Sequence, residues 1–283
     1  MSKVGIVTDT ICCLPPELVK QYDIRVVPVG LVIDGKSYRD SDLTNEEFWR
    51  LFYRAKEQPT TSAVSLGDFT GIFKELAVST DSIACILVSK VLSATNEAAV
   101  QAKEMVKKEH PNLNIEIIDS KTATGAEGFI VLEMAKAAQA DKNLAEVVAV
   151  AHDMIPRVKF VVAMDTLKYL IKSGRAPKTA VIGELLGVKP LIGMLSCTGL
   201  VESLGRVRGK KKAMLKMADM IKANIDTTKP MHLMVHYTDS IADGEELKDM
   251  VTSLYNCKEV YFTPYTPVMA SACGPVVAIS FYS

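Results

Sequence analysis

Short apolar segments alternate with amphipathic segments through the first half of the chain, and this alternation constrains the fold more than any other feature. Four apolar segments are typical of buried strands: 4–8, 24–33, 83–88 and 115–118. Helical spacing of apolar residues, or a helix-starting signal, predicts helices over 15–22, 44–55, 66–77, 94–108, 126–140 and 144–155. Strands that alternate with helices favour an α/β fold with a largely parallel sheet covered by helices on both faces.

The order of predicted elements changes after residue 158. Apolar segments there predict strands over 160–164, 190–194, 199–207, 233–237, 259–263 and 276–281. Helices are predicted over 166–172, 179–186, 210–224 and 245–254. A chain of 283 residues suits about two domains. We therefore expect an N-terminal α/β domain over 1–158 and a C-terminal α/β domain over 159–283.

The charge balance and the N-terminus exclude several classes of partner. The chain has 33 basic and 33 acidic residues, so no bulk charge favours nucleic acid or an anionic membrane. No apolar run approaches the roughly 20 residues that a membrane helix needs. The N-terminus shows no export signal before the first predicted strand. We expect a cytoplasmic protein with no nucleic-acid partner and no stable membrane insertion.

Metal and thiol chemistry find little support in the sequence. The six cysteines show no C-x-x-C spacing, so we expect them to be reduced and mostly buried. His232 and His236 are four residues apart but flank a strand-like segment, and about 13 Å along a strand separates side chains too widely for one ion. We predict no metal site. Neither common phosphate-binding loop, G-x-G-x-x-G or G-x-x-x-x-G-K-[ST], is present.

Two acidic residues end predicted strands, on the side of a parallel sheet where ligands tend to bind. Asp9 and Asp119 follow the segments 4–8 and 115–118. Paired acids can serve catalysis, whereas an aspartate at a strand end more often caps a turn. We favour capping and keep catalysis as an alternative.

Hydroxyl side chains cluster before two predicted helices. Thr60, Thr61, Ser62 and Ser65 precede residue 66, and Ser93, with Thr95 close by, opens the helix at 94. Unpaired backbone N–H groups at a helix N-terminus suit an anion, so two such ends can converge on one carboxylate. Ser and Thr are also the ordinary N-caps of helices, and the pattern alone leaves both interpretations open.

These hydroxyl segments belong to a longer series of motifs that resembles the DegV family of fatty-acid-binding proteins. The series runs nearly end to end and consists of V-T-D-T at 7–10, T-S-A-V-S at 61–65, L-S-A-T at 92–95, I-D-S at 118–120, L-K-Y-L followed by S-G-R at 167–175, V-K-P at 188–190 and G-P-V-V at 274–277. Each motif is weak alone, but their order and spacing together are specific.

The resemblance implies a two-domain DegV-like α/β fold that encloses one long-chain fatty acid, palmitate-like or stearate-like, with no other cofactor. It assigns the carboxylate to Thr61 and Ser93, with Ser62 in support. Secondary candidates for this site are Thr95, Asp9, Asp119, Arg175 and Ala272. In family members that act with a fatty-acid kinase, the protein presents the carboxylate for phosphorylation and performs no chemistry itself.

The chain departs from the family pattern at three places. Ala63-Val64 stands where the family has Gln-Pro, and Ala94 replaces a glycine after Ser93. Ala272-Cys273 occupies the position of a family histidine near the carboxylate. That histidine could donate a hydrogen bond or help phosphotransfer, so its absence bears on the kinase-related role more than on binding.

Two other functions stay open at this point. The first is a phosphotransferase or hydrolase that acts on a small carboxylated substrate through Asp9 or Asp119. The second is a structural or regulatory binder with an empty, collapsed tunnel.

Overall fold

The computed structural model describes residues 4–62, 64–177 and 187–283. The elements of its first half are β1 (Gly5–Asp9), α1 (Pro16–Gln21), β2 (Arg25–Val27), β3 (Gly30–Ile33), β4 (Lys36–Arg39), α2 (Asn45–Arg54), β5 (Thr60–Ser62), α3 (Leu66–Ala77), β6 (Ser82–Leu87), α4 (Thr95–Glu109), β7 (Asn114–Asp119), α5 (Thr124–Gln139) and α6 (Leu144–Arg157). Those of its second half are β8 (Lys159–Met164), α7 (Lys168–Lys172), β9 (Val188–Leu195), β10 (Leu200–Arg208), α8 (Lys210–Asn224), β11 (Met231–Tyr237), α9 (Ile241–Leu254), β12 (Cys257–Pro264), α10 (Pro267–Cys273) and β13 (Val276–Tyr282).

The first sheet confirms the expected parallel arrangement. Its strand order is β2-β1-β6-β7, and every neighbouring pair is parallel. Its strands are buried on both faces, as in Ile83–Leu87 of β6, where every residue is buried. Helices therefore cover both faces, which explains the near-continuous apolar character of these strands in the sequence.

The segment 24–33, predicted as one strand, forms two strands in different sheets. Pro28 separates β2 from β3, because proline has no N–H with which to continue a ladder. The next residue, Val29, donates its N–H to Thr10 Oγ1 at 3.2 Å instead of to a strand. The chain then enters a small antiparallel sheet of order β4-β3-β5. Its third strand, β5, lies between the predicted helices 44–55 and 66–77, where no strand was predicted.

The second half forms a six-stranded sheet of order β10-β9-β8-β13-β11-β12. All its pairs are antiparallel except β11 with β12. Helix α10 was not predicted, because its seven residues are apolar on every side and show no periodicity. The predicted helix over 179–186 lies outside the described residues.

Helix α5 lies in the interior of the fold. Thirteen of its 16 residues are buried, and it contacts β1 of the first sheet as well as β13, β8 and β11 of the second. A helix that is apolar on all sides belongs in a core. One large apolar cluster accordingly contains Ile86 of β6, Ile130 of α5 and Val162 of β8.

The predicted division near 157–159 falls where α6 ends and β8 begins, and the division into two domains stays a prediction.

Within the described ranges, none of the helices combines the length and apolarity needed to cross a membrane.

Candidate functional site

A cavity of about 310 Å³ lies between the loops that follow β1 and β6 and one face of the second sheet. Ile11 and Val88 line it from the loops, while Val162 and Ile192 line it from the sheet. Most of the lining side chains are aliphatic or thioether groups. Pockets that bind small molecules commonly run about 300–1,000 Å³ and are mostly apolar with a few placed polar groups, and this cavity matches that description.

Polar groups gather at one part of the cavity wall. They are Thr61 and Ser62 of β5, Ser93 in the loop before α4, and Arg175 after α7. The hydroxyl of Thr124 also belongs to the lining but lies apart from these groups, 3.4 Å from Ser280 Oγ of β13. Among the residues that the structure describes, no protein group forms a hydrogen bond with the hydroxyl of Thr61 or of Ser62. These hydroxyls are therefore available to a ligand.

Strand β5 is held in place by close packing against β3. Thr61 pairs with Leu31, and Ser62 pairs with Gly30. A Cβ atom at Gly30 would lie 1.9 Å from Ser62 Oγ, so a larger residue there would displace the Ser62 hydroxyl from its position. The sequence offered no sign of this pairing, since the two strands are about 30 residues apart and β5 contains only three residues.

Ser93 lies one residue outside α4 rather than at its N-cap. The N-cap is Ala94, which supplies no side-chain hydrogen bond to the helix. Ser93 Oγ instead lies 2.8 Å from Thr95 Oγ1 and accepts from the Thr95 N–H at 3.3 Å. Thr95 is fully buried and does not line the cavity, so it supports Ser93 without facing the ligand space.

Arg175 brings a positive charge to this polar end. Its Nε donates to the Leu92 carbonyl at 2.8 Å, and Nη1 donates to the Ser173 carbonyl at 3.4 Å. Burial lowers the pKa of the guanidinium from its ordinary value, but arginine stays protonated in proteins. In the described ranges, no carboxylate lies within 4.0 Å of it. The charge is therefore free to face an anion.

Ala272 and Cys273 of α10 line the cavity beside these groups. Ala272 offers no hydrogen bond where the family pattern has a histidine. Burial raises the pKa of the Cys273 thiol to about 12, against the opposing effect of Arg175. A protonated, buried thiol is not a nucleophile at neutral pH, so Cys273 contributes apolar surface.

A smaller recess of about 210 Å³ adjoins the polar end and shares Thr61, Arg175 and Ala272 with the cavity. Its outer lining includes Lys172 and Gln58. Gln58 Nε2 donates to the carbonyls of Tyr169 and Ser271, at 3.1 and 3.2 Å, and so ties the loop before β5 to α7 and α10. Gln58 and Lys172 were not predicted as site residues, because no local pattern in the sequence signals contacts this distant along the chain.

The sequence predicted the N-termini of α3 and α4 at the ligand site, whereas the cavity is lined by those of α4 and α5. Helix α3 is capped by Ser65, whose Oγ accepts from the Asp68 N–H at 3.0 Å, and Ser65 does not line the cavity. The second N-terminus belongs to α5, whose N-cap Ala123 and first residue Thr124 do line it. Thr124 has a φ of 61°, which is rare outside glycine, and α5 has no side-chain cap.

The two aspartates act as caps of turns, as favoured from the sequence. Asp9 accepts from the N–H groups of Ile11 and Val88, at 2.8 and 3.1 Å. Asp119 accepts from those of Lys90 and Lys121, at 3.2 and 2.9 Å. Neither carboxylate lines the cavity. Burial raises the pKa of Asp9 to about 6.

The two histidines have different surroundings. His232 Nδ1 lies 2.7 Å from Glu259 Oε2 and its ring stacks on Tyr282, whereas His236 is fully buried against Tyr265. Across the described ranges, no group of three or more potential ligands is arranged to hold a metal ion. All six cysteines are free, and four of them are buried.

Comparison with known proteins gives a consistent result. A family model described as "Uncharacterised protein, DegV family" matches residues 3–283. A DegV domain-containing protein of Caldanaerobacter subterraneus is 37% identical over 224 residues, which cover 78% of this chain and 78% of that protein.

Solved structures show the same fold. A Thermus thermophilus protein, described as a fatty-acid-binding DegV family member, has 26% identity and a TM-score of 0.91, with 100% of both chains covered. A stearic-acid-binding protein of Eubacterium ventriosum has 24% identity and a TM-score of 0.90, with 100% of this chain and 98% of that chain covered. The chain belongs to the DegV family.

Proposed function

We propose that this protein binds one long-chain fatty acid, with the acyl chain in the apolar cavity and the carboxylate at its polar end. The observation that carries this proposal is the distribution of groups along one cavity wall. Aliphatic and thioether side chains make up most of it. At one end, two hydroxyls that have no protein partner among the described residues meet the guanidinium of Arg175, which has no carboxylate partner among them. An amphipathic molecule with one small anionic group matches this arrangement.

The carboxylate would be bound by Thr61 and Ser93, with Ser62 in support and Arg175 as the cationic partner. A buried carboxylate needs several hydrogen bonds, and bonds to a charged group are the strong ones. The N-terminus of α4, directly after Ser93 and Ala94, adds a dipole that favours an anion. Thr95 would orient the Ser93 hydroxyl through their 2.8 Å contact.

The acyl chain would supply most of the affinity. Each buried CH₂ group contributes roughly 0.8 kcal/mol, so a chain of about sixteen carbons gains about 10 kcal/mol before the costs of ordering. The loss of the family histidine at Ala272 removes one hydrogen bond at most. Binding therefore does not depend on that residue.

The enzymatic alternative finds less support in the geometry. A phosphotransferase or hydrolase that used Asp9 or Asp119 would need one of these carboxylates to reach a substrate. Both instead accept two backbone N–H bonds each and lie away from the cavity.

A role beside a fatty-acid kinase is a finer part of the proposal. The recess gives access from outside to the position assigned to the carboxylate, and Lys172 places a cation there. The recess offers a route for a phosphoryl group, which the kinase would have to supply. Incubation with a cognate kinase and ATP should then give an acyl phosphate, and its absence while lipid stays bound would limit the protein to carrying fatty acid.

The experiment that tests the binding proposal uses protein stripped of lipid. Titration with palmitate should saturate at one molecule per chain, and hexadecanol, which has the same tail without a carboxylate, should bind more weakly. Equal affinity for the two ligands would show that no group in the protein recognises the carboxylate.

A further inference from the structure

The floor of the cavity is a row of side chains from one face of β8. Met164, Val162 and Phe160 alternate along the strand and all line the cavity, whereas Val161 and Ala163 face the opposite side, where they pack in a separate apolar cluster. At about 3.3 Å per residue, Phe160 lies roughly 13 Å from Met164. The row therefore runs along the length of the acyl space.

The Met164 end of this row is the end near the polar groups. Met164 pairs with Val276 of β13, and Val276 follows α10, which carries Ala272 and Cys273, after only two residues. Phe160 pairs with Ser280, further along β13. Phe160 accordingly marks the end that a fatty-acid tail would reach.

Phe160 closes this remote end together with Met194. Val162 pairs with Ile192 of β9, which places Met194 beside Phe160, and Met194 pairs in turn with Val201 of β10. Among the described residues, Phe160 is the last on its face of the strand to line the cavity. The preceding residue on that face, Val158, packs in the main core.

The two side chains at this end differ in how they respond to a longer tail. Phe160 is 8% exposed and has a rigid ring within close-packed surroundings. Met194 is half-buried and has an unbranched, flexible thioether that fills irregular gaps. A terminal methyl group that meets Met194 can displace it, whereas one that meets Phe160 cannot advance.

We propose that Phe160 is the stop that sets the longest acyl chain the cavity accepts, with Met194 as the adaptable surface against the terminal methyl. This inference rests on the proposed fatty-acid binding. The ligands that it favours are linear fatty acids whose tails are just long enough to reach the ring of Phe160.

The inference concerns a series of saturated fatty acids that lengthens two carbons at a time from laurate to behenate. It predicts a break in this series, which is the chain length beyond which affinity stops rising. Each added pair of CH₂ groups should tighten binding roughly 15-fold while the tail still finds apolar wall. Once the tail meets Phe160, affinity should level off or fall. In Phe160→Ala the break should move to a longer fatty acid, because the removed ring leaves apolar space.

The test measures the dissociation constants of this series for stripped wild type, Phe160→Ala and Phe160→Leu, with thermal unfolding to verify folding. Phe160→Leu leaves less empty space than Phe160→Ala and replaces it in the test if the alanine variant does not fold. The break should then move by a smaller step. Val161→Ala is the matched control, because its buried side chain lies on the same strand but faces away from the cavity.

A break that moves in the Phe160 variants and stays in place in Val161→Ala supports the inference. An unchanged break in folded Phe160 variants, or wild-type affinity that keeps rising to behenate, overturns it while fatty-acid binding itself stands. Wild-type protein that binds no member of the series overturns the proposed function instead.

Discussion

The hydroxyls of Thr61 and Ser93 are expected to share the carboxylate, and their removal gives the first prediction. Thr61→Val and Ser93→Ala should each weaken palmitate binding by about 1.5–3 kcal/mol, since each deletes one hydrogen bond to a charged group. The double variant should lose more than either single one. Isothermal titration of stripped protein measures these losses.

Ser65→Ala is the control for these variants. Ser65 is also a loop hydroxyl before a helix, but it caps α3 and does not line the cavity. It should lower the free energy of unfolding by about 1 kcal/mol and leave the palmitate affinity unchanged. Normal palmitate affinity in both folded single variants would place the carboxylate elsewhere.

Buried carboxyl groups give a second prediction, which concerns pH. Burial raises the pKa of Asp9 to about 6 and that of Asp40 to about 6, and it raises the pKa of Glu127 well above its usual range. These three carboxyl groups therefore bind more protons in the folded protein than in the unfolded chain above about pH 4, and burial of His236, which lowers its pKa to about 3, offsets part of this difference. The free energy of unfolding should fall as the pH rises through about 4 to 6, and Glu127 should extend this fall to higher pH.

Glu127→Gln isolates the contribution of one of these groups. Glu127 Oε1 accepts from Thr8 Oγ1 at 3.3 Å, while Oε2 has no protein partner within the described residues. Glutamine resembles the protonated acid, so the variant should lose less stability than wild type as the pH rises above about 6. Urea unfolding across this range measures the difference, with the exposed Glu17→Gln as control. A steeper loss in Glu127→Gln than in wild type would contradict the assignment.

At the scale of elements, α10 depends on the glycine that ends it. Gly274 has a φ of 69°, and a Cβ atom there would lie 2.2 Å from the ring of Tyr169. Gly274→Ala should therefore lower the free energy of unfolding by more than the roughly 1–3 kcal/mol of backbone strain alone. Palmitate affinity should fall as well, because Ala272 and Cys273 would shift with the end of the helix.

A second glycine, this one inside a helix, provides the matched control. Gly71 lies within α3, and a Cβ atom there would meet no described atom within 4 Å beyond the adjoining backbone of its own helix. Its φ is not in the left-handed region. Gly71→Ala should raise the free energy of unfolding by about 0.5–1 kcal/mol, through helix propensity. Thermal unfolding and palmitate titration of both variants test the contrast. A Gly274→Ala protein as stable as wild type would show that α10 can end in another way.

The elements that the sequence predicted well are those with strong local signals. Helix α3 has the predicted bounds, and the N-cap of α2 is Thr44, the first residue of the helix predicted over 44–55; its side chain accepts from the Glu47 N–H. The missed elements, β4, β5 and α10, are short. Strand β5 forms by pairing with β3, about 30 residues earlier in the chain, and such a long-range contact leaves no periodic pattern in the sequence.

At the scale of the whole molecule, the parallel sheet was predictable and the site was predictable only in part. Buried strands alternating with amphipathic helices predict a parallel sheet for physical reasons. The site combines segments near residues 61, 93, 175 and 272, and no spacing rule brings these together. The resemblance named Thr61 and Ser93, whereas the N-terminus of α5 and the contacts of Gln58 emerged only from the fold.

The central claim concerns both the presence and the direction of the ligand. A crystal structure of the protein with palmitate brominated at its terminal carbon tests both at once. We predict the carboxylate within hydrogen-bond distance of Thr61 Oγ1 and Ser93 Oγ, and the anomalous peak of bromine beside Phe160 and Met194. Bromine at the hydroxyl end, or a cavity that stays empty in the presence of saturating ligand, would contradict the account.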